Sequence, residues 1–317
     1  MVAYPGTAFG AVLEQMYHRV GVDALPTHLE TSYGIIVTRV ERLDVGVFRV
    51  DHGGTGAPLV ARLFPAARPR AAAEADLAVL RYLAEVGFPA ERPFGESPIS
   101  VHDGQAVLVT EFVKQVVKAR RPAYPILALG AMVGRLHQLP IPAGADRPAG
   151  ALHHFADGTM GDELRAAAVW LDEVKAREPA TGAGALEALR GAVATADGGD
   201  DLPEAFVHPD PVPKNAIFTA TGPVLIDWTS AGRGPRLASL TLILRSGWAA
   251  VPFMKGYIRE VDLNEEERDR LAGLLFSRAI IDIVFRVCLD PKTAPGAAKR
   301  LPLLRRQCDV KASDLAS

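Results

Sequence analysis

The most informative segment of the chain is residues 206–234, FVHPDPVPKNAIFTATGPVLIDWTSAGRG. Its first half places His208, Asp210 and Asn215 in the order His-x-Asp-x4-Asn, and a β-rich run then ends at Asp227. The chain contains 8 His, 20 Asp and only 2 Asn, so chance alone would produce about 0.003 arrangements of this kind. Asp and Asn more often mark ordinary turns, but a match this rare favours a chemical role.

These residue types suit phosphoryl transfer, in which a protein supplies positioning and charge neutralisation. A carboxylate on a loop accepts or orients the proton of the acceptor hydroxyl, and Asp210 is the candidate for this role. Amide and carboxylate oxygens hold a hard cation such as Mg²⁺, which makes Asn215 and Asp227 the candidate metal ligands. We place His208 in the same catalytic set, and expect it to support the loop by hydrogen bonding because the transfer needs no histidine.

The pattern on the amino-terminal side of this segment indicates a sheet. Residues 33–63 contain three β-rich runs separated by polar or Gly-rich turns, and residues 106–113 form a further apolar run. Residues 9–20 and 71–85 instead carry apolar side chains three to four positions apart, which predicts helices. Residues 1–112 are therefore predicted to form a small, β-rich, mostly antiparallel lobe.

Beyond residue 112 the helical period dominates. Apolar stripes predict helices over residues 125–137, 162–175, 185–195 and most of 237–289, with two short strands at 216–219 and 223–227. Residues 113–317 are therefore predicted to form a larger, mostly helical lobe. The expected fold class is α+β, in two lobes that share a cleft.

The composition excludes several classes of protein. A chain of 317 residues is long enough for two lobes with a substantial core. Its 35 basic and 37 acidic residues give a net charge of −2, so no overall field favours nucleic acid or an anionic membrane. We therefore expect no nucleic-acid partner and no membrane partner.

Sequence features also indicate the compartment. Cys288 and Cys308 form no CxxC pair, which argues against a zinc site and for a reducing environment. The first residues lack the pattern of a signal peptide, and the apolar stretch 271–289 contains three charged residues, too many for a membrane span. We expect a cytoplasmic protein, either a monomer or a homodimer.

Two motifs of the decisive segment resemble the aminoglycoside phosphotransferase and choline kinase-like family, whose members are related to the protein kinases. The catalytic loop of that family is H-G-D-x-x-x-x-N, and its metal aspartate lies in I-D-W or I-D-F; VHPDPVPKN (207–215) and LIDW (225–228) are similar. GRLHQLP (134–140) and FMKGY (253–257) resemble helices of the family. The resemblance covers about residues 35–290 and implies a two-lobed, protein-kinase-like fold.

The resemblance also implies a nucleotide, ATP or GTP, bound with Mg²⁺. The strand VLVTEFV (107–113) is similar to the hinge that offers backbone groups to the purine, which here are those of Thr110, Glu111, Phe112 and Val113. Gly46 is the glycine of the loop that would cover the phosphates. These residues are the expected purine and phosphate contacts.

Arg62 stands where the family has a lysine on the third strand, and it is expected to grip the α- and β-phosphates. The family pairs this cation with an acid on the following helix. Alignment of the helices places Asp76 there, with Glu74 as a neighbouring candidate, and both remain open. Three further positions depart from the family pattern: Pro209 and Lys214 replace glycines, and Ser239 replaces an aspartate.

The acceptor implied by the resemblance is a hydroxyl of a small molecule, which can be cationic. An aminoglycoside-type antibiotic, with a role in resistance, is the first expectation, because acidic helices at 157–178 and 260–269 could bind ammonium groups. Residues 150–195 and 237–289 are expected to shape the acceptor pocket. A metabolic alcohol such as choline, an amino alcohol or a sugar is the first alternative. A nucleotide-binding pseudokinase without activity is the second; Arg62, the single Gly46 and Ser239 favour it, whereas the complete Asp/Asn/Asp set opposes it.

Overall fold

The computed structural model describes residues 6–54, 56–116, 123–150, 158–179 and 182–316. Its amino-terminal part is built on an antiparallel sheet of five strands in the order β1-β2-β3-β5-β4. The strands are β1 (Val37–Asp44), β2 (Val47–His52), β3 (Leu59–Leu63), β4 (Ile99–His102) and β5 (Gln105–Glu111). Side chains of β3 alternate between buried and partly buried, whereas β5 is buried along its length except at Glu111, as its apolar run predicts.

The helix expected at 71–85 is present as α3 (Arg70–Glu85) and covers one face of this sheet. Its buried stripe includes Ala73, Leu77, Leu80 and Leu83. Two shorter helices precede the sheet: α1 (Ala8–Tyr17), expected at 9–20, and α2 (Leu25–Tyr33), which the sequence pattern does not reveal.

The carboxy-terminal part is mostly helical, as predicted. Its helices are α4 (Ala123–Leu136), α5 (Met160–Arg177), α6 (Ala183–Ala194), α7 (Arg236–Ser239), α8 (Thr241–Leu244), α9 (Ala250–Tyr257), α10 (Glu265–Leu289) and α11 (Ala294–Ala316). Capping boxes begin α5, with Thr159 and Asp162, and α10, with Asn264 and Glu267. An antiparallel sheet lies in the first part of the chain and helices fill the second, so the predicted two-lobed fold is confirmed.

Helices α4 and α9 touch through their backbones. A Cβ atom at Gly130 would collide with the carbonyl group of Phe253, and one at Gly256 would collide with the carbonyl oxygen of Leu127. Two glycines therefore allow this close helix contact.

Two small antiparallel pairs frame residues 206–234. The hairpin of β7 (Ala216–Thr219) and β8 (Gly222–Leu225) was expected, whereas the pairing of β6 (Glu204–Val207) with β9 (Gly232–Pro235) was not. Val207 pairs with Gly232, so the two ends of the segment between them lie next to each other. This closure brings His208 within hydrogen-bonding distance of Ile226, the residue before Asp227.

The first helix packs on the helical part of the molecule. The ring of Phe9 contacts Trp170 and Phe285 edge to face, with centroids 5.3 Å apart in both cases. The carboxylate of Glu173 accepts the amide hydrogen of Ala8 at 2.7 Å. The boundary between the lobes at residue 112 stays a prediction. Helix α1 lies before that boundary in the sequence but packs against the carboxy-terminal part.

No described helix combines the length and the apolar character that crossing a bilayer requires.

Candidate active site

The catalytic loop is held by His208, which is fully buried. Its Nδ1 atom accepts the amide hydrogen of Asp210 at 3.1 Å, and its Nε2 atom donates to the carbonyl oxygen of Ile226 at 3.0 Å. The imidazole ring also packs edge-on against Trp228, with centroids 4.7 Å apart. His208 thus connects the catalytic loop to Ile226, the residue before Asp227. This is the geometry expected of a side chain that supports the loop.

Asn215 and Asp210 form the floor of the loop. The side-chain amide nitrogen of Asn215 donates to the backbone carbonyl oxygen of Asp210 at 2.9 Å and to the carboxylate Oδ2 of Asp210 at 3.0 Å. The backbone carbonyl oxygen of Asn215 accepts the amide hydrogen of Ile226 at 2.9 Å. Because its side-chain nitrogen is used in this way, the oxygen of the Asn215 amide is the atom that can face a cation.

Asp227 adopts a left-handed backbone conformation, with φ of +67°. This region is unfavourable for a residue with a Cβ atom and is held here by contacts. The amide hydrogen of Asp227 is accepted by the Oε1 atom of Glu91 at 2.8 Å. Its Oδ1 atom lies 2.9 Å from the Nη1 atom of Arg62, so the expected phosphate cation and the expected metal ligand are in contact.

Arg62 lies among several carboxylates. Burial disfavours its charged form, but the negative charges of Asp227 and Glu91, followed by Asp76 and Asp44, outweigh this effect and raise the pKa of Arg62. The guanidinium therefore stays charged at all relevant pH values. It is a fixed cation in the site.

A cavity of about 240 Å³ opens beside Arg62. This volume is below the roughly 300–1,000 Å³ typical of a site for a whole ligand, so it suits phosphate groups. Its wall includes six charged side chains: Arg19, Asp44, Arg62, Arg68, Lys214 and Asp227. The cations outnumber the carboxylates, as a phosphate site requires.

Arg19 was not predicted from the sequence. Its Nε atom donates to the carbonyl oxygen of Leu63 at 2.7 Å, at the end of β3. Burial, together with the nearby charge of Arg62, lowers the pKa of Arg19 to about 10. No periodic or motif pattern identifies this residue, because it reaches the cavity from the segment after α1.

Gly46 lies in the turn between β1 and β2, with φ of +68°. Its carbonyl oxygen accepts the amide hydrogen of Leu63 at 2.7 Å. An added Cβ atom would lie 2.5 Å from the Leu63 carbonyl oxygen and 2.7 Å from the Nε atom of Arg19. The Leu63 carbonyl oxygen and the Arg19 side chain approach so closely that position 46, at the edge of the cavity, requires glycine.

The expected pairing of Arg62 with Asp76 or Glu74 is wrong. Both carboxylate oxygens of Asp76 are taken by other guanidinium groups, since Oδ2 lies 2.8 Å from Arg68 and Oδ1 pairs with Arg147. Asp76 Oδ1 also accepts the amide hydrogen of Ser230 at 3.0 Å. Asp76 acts on Arg62 only through its charge at longer range.

Glu74 lies outside the site. Its side chain is exposed and pairs with Arg70, four residues earlier on the same helix, at 2.8 Å. Glu91 is instead the second acid that acts on Arg62, after Asp227. The sequence offered no indication of Glu91, because it follows α3 in an irregular segment.

The hinge residues lie at the end of β5. Thr110 is buried and donates its hydroxyl hydrogen to the Oε2 atom of Glu91 at 3.1 Å. The amide hydrogens of Glu111 and Phe112 are bonded to the carbonyl oxygens of residues 92 and 58. A purine at this edge would therefore be held by carbonyl oxygens of the segment or by the amide of Val113.

Three acidic residues proposed to bind a cationic acceptor have other partners. Glu163 is fully buried and lies 2.6 Å from Arg278, and Glu267 lies 2.7 Å from Arg236. Asp162 caps α5. Residues 151–157 and 180–181, within the expected acceptor region 150–195, lie outside the described residues.

Ser239, where the family has an aspartate, donates its hydroxyl hydrogen to the carbonyl oxygen of Arg236 at 2.7 Å. This contact lies within one helical turn. The residue has a local structural role in α7.

The donor set fits a hard divalent cation that shares its coordination with phosphates. Among the described residues, no group of three or more His, Cys, Asp or Glu side chains could hold a metal by itself. Mg²⁺ in nucleotide sites needs only one or two protein oxygens, since phosphates and water complete the octahedron. The carboxylate of Asp227 and the amide oxygen of Asn215 are the protein groups that would hold it.

Comparisons with known proteins identify the family of the chain. A family model described as the phosphotransferase enzyme family matches residues 40–274, most of the chain. A search of the curated proteins finds no match.

Many solved structures are similar in fold. A spectinomycin phosphotransferase in complex with ADP and spectinomycin is 12% identical, with a TM-score of 0.56, and covers 93% of this chain and 97% of its own. An aminoglycoside-3'-phosphotransferase of type VIII is 24% identical, with a TM-score of 0.53 and coverage of 83% and 98%. A choline/ethanolamine kinase family protein from Mesorhizobium loti is 17% identical, with a TM-score of 0.58 and coverage of 92% and 98%.

The match of the family model extends from the sheet through the catalytic loop and beyond Asp227 into α10. It includes every residue that the geometry brings together around Arg62, except Arg19. The chain therefore belongs to the phosphotransferase enzyme family.

Proposed function

We propose that this enzyme transfers the γ-phosphoryl group of ATP or GTP, bound with Mg²⁺, to a hydroxyl of a small molecule. The observation that carries the proposal is the convergence of Asp210, Asn215 and Asp227 beside a cationic cavity walled by Arg62. These groups fill the roles that phosphoryl transfer requires of a protein.

In the proposed reaction, the acceptor oxygen bonds to the γ-phosphorus while the bond from that phosphorus to the β–γ bridging oxygen breaks. Asp210 takes the hydroxyl proton, and nucleoside diphosphate leaves. Asp210 Oδ2 already accepts hydrogens from Asn215 and Lys214, so Oδ1 is the atom proposed to receive the proton. Mg²⁺, when bound, neutralises negative charge on the β- and γ-phosphate oxygens.

The acceptor is proposed by chemical class. An aminoglycoside-type antibiotic is the first candidate, and solved relatives of similar fold act on spectinomycin and related antibiotics. A metabolic alcohol such as choline is the second candidate, because Glu163 and Glu267 are used in internal ion pairs and leave fewer acids for a polycation. Both cysteines are free and buried, which fits the proposed cytoplasmic location.

Thermal unfolding with ATP or GTP, with and without Mg²⁺, tests the nucleotide site. A ligand at a hundred times its Kd adds about 2.7 kcal/mol to the free energy of unfolding, which raises the midpoint measurably. We expect a Mg²⁺-dependent shift that is lost in Asp227→Asn and kept in Asp269→Asn, an exposed aspartate on α10. No shift with either nucleotide would contradict the proposal.

Turnover is tested next, by following release of ADP or GDP with panels of aminoglycosides, amino alcohols and sugars. Transfer to one class identifies the acceptor. Nucleotide binding without transfer to any acceptor would instead favour the inactive nucleotide-binding alternative.

A further inference from the structure

The segment that begins with the proposed metal ligand contains two left-handed positions. Asp227 has φ of +67° and Ser230 has φ of +61°, and both values are unfavourable for residues with a Cβ atom. Such conformations persist only where surrounding contacts hold them, and they are concentrated at functional sites. The contacts that hold Ser230 therefore bear on Asp227, three residues earlier.

We infer that three side chains, Asp76, Arg68 and Arg147, form a clamp that positions Asp227 for the divalent cation. They are positioning residues, because they act on the backbone that carries Asp227. The inference rests on the proposed function and deepens it. It gives Asp76 a part in the site other than the expected pairing with Arg62.

The clamp is buried and fixed to α3. The side chains of Asp76, Arg68 and Arg147 are 2%, 5% and 14% exposed. The Oδ2 atom of Asp76 accepts a hydrogen from Nη2 of Arg68 at 2.8 Å, and the Oδ1 atom accepts one from Arg147. Arg147 also donates to the carbonyl oxygen of Ala72, one turn earlier on α3, at 3.3 Å. The two guanidinium groups thus share one counter-charge, which α3 holds in place.

Each member of the clamp bonds to Ser230 or Ala231. Asp76 Oδ1 accepts the amide hydrogen of Ser230 at 3.0 Å, and Nη1 of Arg68 donates to the Ser230 hydroxyl oxygen at 3.2 Å. The Nε atom of Arg147 donates to the carbonyl oxygen of Ala231 at 3.4 Å. Ser230 is fully buried. Its left-handed conformation is therefore held by side chains from two distant parts of the chain.

The direction of the Asp227 side chain depends on this segment. On the amino-terminal side, the amide hydrogen of Asp227 is accepted by Glu91. On the carboxy-terminal side, the carbonyl oxygen of Trp228 accepts the amide hydrogen of Ala231 at 3.1 Å, which closes a turn that ends in the clamp. Each residue has only two soft backbone angles, so a turn fixed at Ser230 and Ala231 restricts where the Asp227 carboxylate points. Loss of the clamp frees the backbone that sets this direction.

Arg147 offers the clearest test. It is not among the described residues that line the cavity, so its removal takes away no expected phosphate contact. In Arg147→Gln, Asp76 keeps Arg68 as its counter-charge. We measure the Kd of ATP and of GTP by calorimetry, once with Mg²⁺ and once with EDTA. The expected result is unchanged affinity with EDTA and about tenfold or greater loss of affinity with Mg²⁺, the usual effect of removing a residue that orients a metal ligand.

This pattern separates positioning from general support of the fold. An arginine that only stabilised the protein would lower nucleotide affinity in both conditions or in neither. Wild-type affinity of Arg147→Gln with Mg²⁺, or an equal loss with Mg²⁺ and with EDTA, would therefore overturn the inference. Failure of the wild type to bind either nucleotide would overturn the proposed function instead, so the two failures are distinguishable.

Arg135→Gln is the matched control. It removes an arginine of α4 that pairs with Glu260 at 3.2 Å, so it loses one positive charge and one ion pair, as Arg147→Gln does. It should bind each nucleotide as the wild type does in both conditions. A loss of affinity equal to that of Arg147→Gln would assign the effect to net charge and overturn the inference.

Ser230→Gly covers the case in which Arg147→Gln folds poorly. Glycine adopts φ of +61° without strain, and it lacks the hydroxyl that Arg68 holds. The segment is loosened in this variant, whereas the buried charges of the clamp keep one another as partners. We expect the same loss of affinity with Mg²⁺ only. Wild-type affinity of Ser230→Gly with Mg²⁺ would overturn the inference.

Discussion

The ammonium nitrogen of Lys214 lies 3.1 Å from the Oδ2 atom of Asp210, the proposed catalytic carboxylate. The lysine side chain is 67% exposed, and it stands where similar catalytic loops have glycine. The Asp210 side chain is only 8% exposed, but it should keep the hydrogen bond from Asn215 when the lysine is removed. Lys214 also lines the cavity beside Arg62, so we expect it to take part in the proposed reaction.

Replacement of Lys214 by alanine should lower kcat about tenfold and leave the thermal midpoint nearly unchanged, since one cation beside the transferred phosphoryl group is lost. Lys214→Arg retains the charge and should recover most of the rate. Steady-state kinetics of the two variants decide the matter. Equal kcat values for Lys214→Ala and the wild type would show that the charge is irrelevant to turnover.

Asp210→Asn should reduce kcat by roughly 10²–10⁴-fold, the usual contribution of a general base. The loop should survive, because the amide keeps an oxygen that can accept from Asn215, and the Kd of the nucleotide should change little. Turnover and calorimetric binding are measured side by side, with Asp309→Asn, at an exposed aspartate on α11, as the control. Retention of wild-type turnover would exclude Asp210 as the base.

Asp76→Asn should destabilise the protein by about 3 kcal/mol or more, because Arg68 and Arg147 would keep buried positive charges without a carboxylate. Glu74→Gln removes an exposed i,i+4 pair and should cost less than about 0.5 kcal/mol. Urea unfolding of both variants gives the comparison. Similar losses of unfolding free energy in the two variants would contradict the prediction that Asp76 stabilises the buried guanidinium groups of Arg68 and Arg147.

His137 should make the protein sensitive to acid. Burial, assisted by the charge of Arg236, lowers the pKa of His137 to about 3, from 6.5 in an exposed state. Between these values the unfolded chain binds a proton that the folded chain does not, so the free energy of unfolding falls as the pH falls. From pH 7 to pH 5 this residue alone should account for about 2 kcal/mol.

His137→Asn tests this dependence, because asparagine can still bond to the hydroxyl of Tyr257, which lies 2.9 Å from His137 Nδ1. Its free energy of unfolding, measured by urea denaturation at several pH values, should decline less steeply below pH 7 than that of the wild type. Parallel curves would show that His137 does not titrate in this range.

Gly130→Ala should destabilise the protein by at least about 2 kcal/mol, because the methyl group would press α4 away from the backbone of α9. Gly191→Ala offers the opposite case, since this glycine lies inside α6 with no neighbouring atom in the way. Alanine there should stabilise by about 0.5–1 kcal/mol. Thermal midpoints that shift in the same direction would contradict the packing argument.

The sequence predicted features whose cause is local. The stripe of α3 and the apolar run of β5 could be recognised because periodicity reflects burial directly. The set of Asp210, Asn215 and Asp227 could be recognised because the chemistry demands those residue types at a short spacing. The roles of these residues stay predictions until they are tested.

Features that depend on distant partners could not be predicted. The strands β6 and β9 are four residues each, and GRGP has no β-like composition, so only their pairing makes them strands. Glu91 and Asp76 differ in partner because Arg68 and Arg147 reach Asp76 from elsewhere in the chain. No local pattern distinguishes a carboxylate that is already paired from one that is available.

The docking of α1 has a consequence for the order of events during synthesis. Phe9 is synthesised well before its aromatic partners Trp170 and Phe285, which lie more than 160 residues further along the chain. At the usual rate of synthesis, 5–20 residues per second, α1 lacks its packing partners for on the order of tens of seconds. The sheet-forming segment therefore emerges from the ribosome well before α1 can dock, and the docking of α1 is deferred until α10 has emerged.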